Sequence, residues 1–185
     1  MLEIKVDSIE AYDEVNNVFV NTPSVVLQLE HSLISISKWE AKWHKPYLQS
    51  ANTLTKDEII DYIKCMTVSP GHVDDMVYYF LSQENIDSIV DYIKNPMTAT
   101  WFKEDKNKPH SKEIITSELI YYWMVALQIP FECQKWHINR LLTLIKVCNT
   151  KSEESTSKNK MSKRELMSRN AALNAQRRAK LNSKG

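Results

Sequence analysis

Apolar positions along the chain change period twice, and each change marks a different kind of element. At the start the period is two. Leu2, Ile4 and Val6 alternate with polar residues, Val18 and Val20 flank Phe19, and Val25, Leu27 and Leu29 alternate again after Asn21-Thr22-Pro23. Alternation between Asn/Pro turn signals predicts a small antiparallel β element. From Ser32 the period becomes helical. Ser32 is placed to cap a helix carrying Leu33, Ile36, Trp39 or Glu40, and Trp43, ending before Pro46. Thr55-x-x-Glu58 is a capping-box pattern ahead of Ile59, Ile63 and Met66. After Pro70-Gly71, Val73, Met76, Val77, Phe80 and Leu81 form one helical stripe. Ile86, Ile89, Val90 and Ile93 form another, stopped by Asn95-Pro96.

The segment from Met97 to His110 reads as a connecting loop, with Trp101 and Phe102 anchoring its start in the core. Ile115, Leu119, Tyr122 and Ala126 then line one helix face. Ile120, Trp123 and Leu127 widen it until the helix is apolar nearly all round, the pattern of a central helix. Pro130 ends it. One more helix carries Cys133, His137, Leu141, Leu144, Ile145 and Cys148 on one side.

After Thr150 the pattern disappears. Residues 151–161 lack a run of large apolar side chains and read as a flexible linker, because burial there cannot offset chain entropy. Ser162-x-x-Glu165 is a second capping box, opening a basic, alanine-rich helix that runs to about Leu181. The expected organisation is therefore mainly α: residues 1–150 as a helical domain with an N-terminal antiparallel β element, a linker at 151–161, and a C-terminal helix and tail at 162–185.

Composition narrows the chemistry. The chain has 185 residues and two glycines, Gly71 and Gly185. That scarcity disfavours turn-dense β folds and leaves no spacing for a glycine-rich phosphate loop. The apolar run Leu119–Leu127 is far shorter than a membrane span, and the alternating first residues do not make a signal peptide. Three cysteines at unrelated spacings, Cys65, Cys133 and Cys148, fit a reducing compartment. The net charge of +1 conceals a division. Residues after Thr150 hold ten basic and three acidic side chains, a net +7, while the remaining 14 basic and 20 acidic ones give −6. An acidic body with a basic tail implies an anionic partner for the tail, or a neighbour's body.

Candidate chemical groups are few. Cys133-x-x-x-His137 could offer two metal ligands one turn apart, but both fall on an apolar stripe, and packing accounts for them better than zinc. No nucleophile motif appears, and the acidic pairs Asp57-Glu58 and Asp74-Asp75 fit first turns of helices, where negative charge is favoured. No enzymatic activity, cofactor or metal is expected. Trp39 and Trp43, interleaved with Lys38, Lys42 and Lys45, could stack single-stranded bases; packing of both indoles under snorkelling lysines is the preferred reading. The tail helix carries the partner-binding candidates Leu166, Arg169, Leu173, Arg177 and Arg178. Its apolar stripe is thin, so it awaits a partner, with protein favoured over nucleic acid.

Four strings add a family likeness. "LEHSLISISKWEAKW" at Leu29–Trp43, "DYIKCM" at Asp61–Met66, "YYWMVALQIPFECQKWHINRLLTLIKVC" at Tyr121–Cys148 and the ending "MSKRELMSRNAALNAQRRAKLNSKG" resemble tail-morphogenesis proteins of tailed bacteriophages and prophages, most nearly the tail assembly chaperones. The resemblance implies a small helical protein of the infected bacterial cytoplasm. Its partners would be the tape-measure protein and the tail tube protein, with homo-oligomers also allowed. It carries over no catalytic residue. A structural or connector protein retained in the virion, tethered by its tail helix, is the alternative.

Overall fold

A computed structural model describes residues 1–13, 17–102, 113–159 and 163–181. The chain is mainly helical, with an antiparallel N-terminal β element and a C-terminal helix. It divides into two units, Met1–Ile145 and Lys146–Gly185.

The N-terminal strands are β1 (Leu2–Val6), β2 (Ile9–Asp13), β3 (Val18–Thr22) and β4 (Val25–Leu29). β1 pairs with β4 and β2 with β3, both antiparallel. The ladders share one register, since the step from Val6 to Ile9 matches the step from Val25 to Thr22. They are two halves of one long ribbon, interrupted where Pro23 has no N–H to donate. The inner half buries Ile4, Val6, Leu27 and Leu29. The outer half leaves Phe19 74% exposed, its ring 5.0 Å from that of Tyr12. Beyond β4, Val68 N–H donates to Gln28 O (2.8 Å) and Glu30 N–H to Met66 O (2.9 Å), which covers part of that edge.

Among the described residues seven α-helices follow: α1 (Leu33–Trp43), α2 (Tyr47–Ser50), α3 (Lys56–Met66), α4 (Gln83–Lys94), α5 (Ser117–Ala126), α6 (Ile138–Asn159) and α7 (Lys163–Leu181). Ser32 caps α1 by accepting from Ser35 N–H, and Thr55 with Glu58 forms a complete capping box on α3. Both caps lie where the sequence places them.

The central helix is α1, which touches α2, α3, α5 and the 3-10 turn Phe131–Lys135. Its buried face is Leu33, Ser35, Ile36, Trp39 and Glu40. The expectation of a central α5 is corrected. α5 buries Ser117, Ile120 and Met124, while Tyr122 is 65% exposed, Val125 is exposed and Trp123 is half-buried. An all-apolar sequence shows that a helix can be buried all round; α1 occupies the centre instead because it meets partners on several sides. Trp101 is also corrected: it is 83% exposed, not a core anchor.

Two further elements differ from expectation. Val73–Leu81 forms a 3-10 helix at Asp75–Phe80, capped by Asp74 accepting from Met76 N–H, and buries Val77 and Tyr78. Cys133 lies in the 3-10 turn and His137 in a bridge to Ser32, so α6 starts only at Ile138. The backbone is helical through Asn159, across most of the expected linker. No glycine or proline interrupts residues 151–159, so nothing in the backbone stops propagation. The Ser162–Glu165 capping box lies outside the described residues or side chains.

α5 ends in a Schellman motif. Ile129 N–H donates to Met124 O (2.8 Å) and Gln128 N–H to Val125 O (3.2 Å), with Gln128 left-handed at φ 54°. Glycine normally takes that position, and this glycine-poor chain uses glutamine. We expect Gln128→Gly to raise stability by up to about 1 kcal/mol in chemical denaturation. Trp39, fully buried with its indole N–H on Glu58 O (3.0 Å), should cost about 3–5 kcal/mol when cut to Ala. Trp123→Ala should cost roughly half of that or less, in proportion to its partial burial.

Candidate partner-binding surfaces

Among the described residues every buried side-chain nitrogen and oxygen has a hydrogen-bond partner, and these bonds hold the surfaces of the body in place. Glu40 is buried in α1 and forms no ion pair among the described residues. Its Oε1 accepts Tyr47 N–H (2.8 Å) and its Oε2 accepts Ser117 N–H (2.7 Å), the first N–H groups of α2 and α5. One carboxylate thus closes two helix N-termini, where anions are favoured. Glu58 is also buried. It accepts from Thr55 N–H (2.8 Å) and pairs with Lys45, and the lysine holds its carboxyl below the usual range. Lys42 pairs with Asp61, which also accepts the Trp43 indole N–H at 2.9 Å. The Trp39/Trp43 pair stacks at 6.2 Å with both indole N–H groups engaged inside the fold. Two of the three lysines around it are paired with internal carboxylates.

An aromatic and histidine cluster lies beneath α2 and α3. His31 Nδ1 and the Tyr62 hydroxyl share a hydrogen bond of 2.5 Å, and Tyr62 stacks on Tyr47 with ring centroids 3.8 Å apart. The His137 ring sits edge-on to His31 at 5.0 Å. Asn139 N–H donates to His137 Nδ1 (3.3 Å), so the proton is on Nε2, which donates to Tyr92 O at 3.0 Å. Both ring nitrogens of His137 are thereby occupied. Asn139 Nδ2 adds bonds to Ile93 O (3.1 Å) and Asn95 O (2.8 Å). The C-terminal end of α4 is therefore clamped by the residues that open α6. Cys133 is buried and carries a free thiol. Among the described residues no three His, Cys, Asp or Glu side chains converge as metal ligands.

With α4 fixed at one end and α3 pinned to α1, an apolar trough remains between them. It consists of two hollows of about 350 and 250 Å³ that share Ile59, Ile63 and Ile86. Tyr78 and Leu81 extend one end; Ile89, Val90 and Ile93 extend the other, with Tyr47 and Tyr62 among its walls. Ile59 is 44% exposed and Val90 37% exposed. The sequence stripes on α3 and α4 showed these residues as faces to be buried. What they could not show is that the two faces diverge enough to leave a hollow.

In the second unit, α7 carries the tail candidates. Arg169, Leu173, Arg177 and Arg178 are all exposed, as is every described side chain from Met167 to Leu181. Position 166 belongs to α7, and its side chain lies outside the described ones. Helical geometry places positions 166, 169, 173 and 177 within one arc of about 80°, with Arg178 about 100° further round. The structure thus brings four of the five candidates onto one face. Among the described residues no helix is long and apolar enough to cross a membrane. No protein-family model, curated protein or solved structure matches the chain.

The histidine cluster makes the fold sensitive to acid. Burial, and then the neighbouring His137, lowers the His31 pKa to about 3, and burial also lowers that of His137. A histidine depressed in the folded state leaves the unfolded chain binding more protons below about pH 6.5. Stability is therefore full above that pH and falls as pH drops toward 3. We expect His31 to account for a loss of about 2 kcal/mol between pH 7 and pH 5 in denaturant titrations, and His31→Gln to flatten that dependence.

Proposed function

We propose that this chain is a tail-morphogenesis protein of a tailed bacteriophage or prophage, acting as an assembly chaperone for helical tail components. The observation that carries the reading is the trough between α3 and α4, an apolar hollow walled by isoleucines of two helices, with Ile59 and Val90 partly open to solvent. Such a hollow suits the helix-in-groove mode, in which an amphipathic helix inserts residues one and two turns apart. The four family-like strings supply the biological setting. The client would be the tape-measure protein, a long helical chain on which many weak sites act together. The exposed basic helix α7 would engage a second component such as the tube protein, through the 166/169/173/177 face and Arg178. In this reading the chain performs no chemistry and holds no cofactor, and it works in the cytoplasm of the infected host.

A retained virion connector is the second reading. The outer face of α5 favours it: Tyr122 and Val125 are exposed on a helix with no charge between Leu119 and Phe131, a surface suited to a lasting interface.

Mass spectrometry of purified virions separates the two. A chaperone is absent from the particle while co-purifying with tape-measure protein from infected cells; its presence at fixed copy number in virions supports the connector instead. For the chaperone, Val90→Asp should weaken tape-measure binding by about tenfold or more, equivalent to about 1.4 kcal/mol, with the melting temperature nearly unchanged. Replacing Arg169, Arg177 and Arg178 with Ala should weaken the second partner and leave the trough's client bound.

A further inference from the structure

The outer face of α5 is a second surface, and no residue of it lines the trough. α5 packs on α1 and buries Ser117, Ile120 and Met124. At about 100° per residue, Tyr121, Tyr122, Val125 and Ala126 fall together in one arc of about 140° on the rest of the helix. Tyr122 is 65% and Val125 61% exposed, and Ala126 is exposed as well. Phe131, 54% exposed, extends the surface, because its ring lies 6.5 Å from that of half-buried Tyr121. No charged residue occurs from Leu119 to Phe131. We propose that this face binds the same face of a second copy of the chain across a two-fold axis.

Area sets the strength of such an interface. An aromatic side chain carries about 150–250 Å², so Tyr122, Val125 and Phe131 at these fractions expose about 300 Å² of mostly apolar surface. Each partner of a standard dimer buries about 800 Å². Half-buried Leu119 and Trp123, with the polar rim of Glu118, Gln128 and Gln134, supply part of the remainder. The dimer is therefore weak, with dissociation in the micromolar range.

The absence of charge selects the occupant. A basic or acidic partner finds no counter-ion between Leu119 and Phe131 and loses hydration on docking there. A second copy brings an equally uncharged face, so no like charges meet at the centre. A two-fold axis near Tyr122 runs the two α5 helices antiparallel, with their dipoles opposed. Tyr122 of each copy then meets its counterpart ring, which favours an offset stack. Glu118 of one copy lies toward the Gln128 end of the other, where the exposed amide can donate to it. Self-association accounts for the exposed α5 face without a virion neighbour, and a dimer brings two troughs to one long client.

Sedimentation velocity of the full chain across a dilution series through the micromolar range is the test. The mass should rise with concentration from that of one chain, 21.6 kDa, toward twice that value. Tyr122→Glu and Tyr122→Lys should each weaken association by about tenfold or more, since the new charge meets its like across the axis. Mixing the two variants should restore association, because Glu then faces Lys, and that recovery excludes misfolding as the cause of the loss. Phe19→Glu, at the exposed ribbon tip, should leave association unchanged. A monomer at every concentration overturns the inference, as does a dimer that both Tyr122 variants retain, or a mixture that stays monomeric. Each of these outcomes leaves the trough as it is, since client binding is read separately.

Discussion

The buried carboxylate of Glu40 holds the helical body together at the point where sequence alone leaves it weakest. A chain with so little glycine turns sharply at few places, and α2 and α5 both begin inside the fold, with first N–H groups that no helical carbonyl can reach. Pro46 gives α2 no side-chain cap. Glu40 reaches Tyr47 N–H and Ser117 N–H together, the second 77 residues away in sequence, and so joins both segments through one side chain of the central helix. Removing such an acceptor leaves buried donors exposed to no solvent, which costs about 1–3 kcal/mol for each. Because α1 is the element that also buries Trp39 against α3, the same helix sets the positions of α2, α3 and α5 at once.

That arrangement determines what remains open. α3 is tied inward by its capping box, by Trp39 and by the Lys45–Glu58 pair, while α4 is held at its C-terminal end through the carbonyls of Tyr92, Ile93 and Asn95. Neither set of bonds draws the facing isoleucines together. The trough is a consequence of two helices fixed by their far sides. The cluster of Tyr47, Tyr62, His31 and His137 lies against its wall, with Tyr47 stacked on Tyr62 and the Tyr62 hydroxyl bonded to His31. A helix bound there as proposed would meet a preformed hollow, which lowers the ordering cost of binding.

Much of the fold is legible in the sequence because local rules and tertiary packing agree there. Ser32, Thr55 and Glu58 cap helices at the predicted places, and period-two alternation marks the strands around Ile4 and Leu27. The failures have a common physical origin: an apolar pattern states what a face can bury, not what it meets. α5 reads as central and is peripheral, because α1, with fewer apolar residues, has neighbours on more sides. Trp101 reads as an anchor and is exposed. The stripe at Val73–Leu81 winds as a 3-10 helix, capped by Asp74 and followed directly by the Ser82 cap of α4. The trough was present in the sequence only as two isoleucine stripes. Their divergence depends on bonds of high sequence separation, such as Asn139 to Asn95, that no local pattern encodes. The tail candidates share a face by simple periodicity, which is why that part of the site was legible.

The central claim is that a helical client binds the hollow between α3 and α4. Amide hydrogen exchange of the full chain, alone and with the tape-measure protein, tests it most directly, because it locates protection without any substitution. The account predicts slowed exchange on binding in residues 59–63 and 86–93, with the α5 amides unchanged. Protection confined to α5 or to the ribbon tip around Phe19, with α3 and α4 exchanging as before, would contradict it.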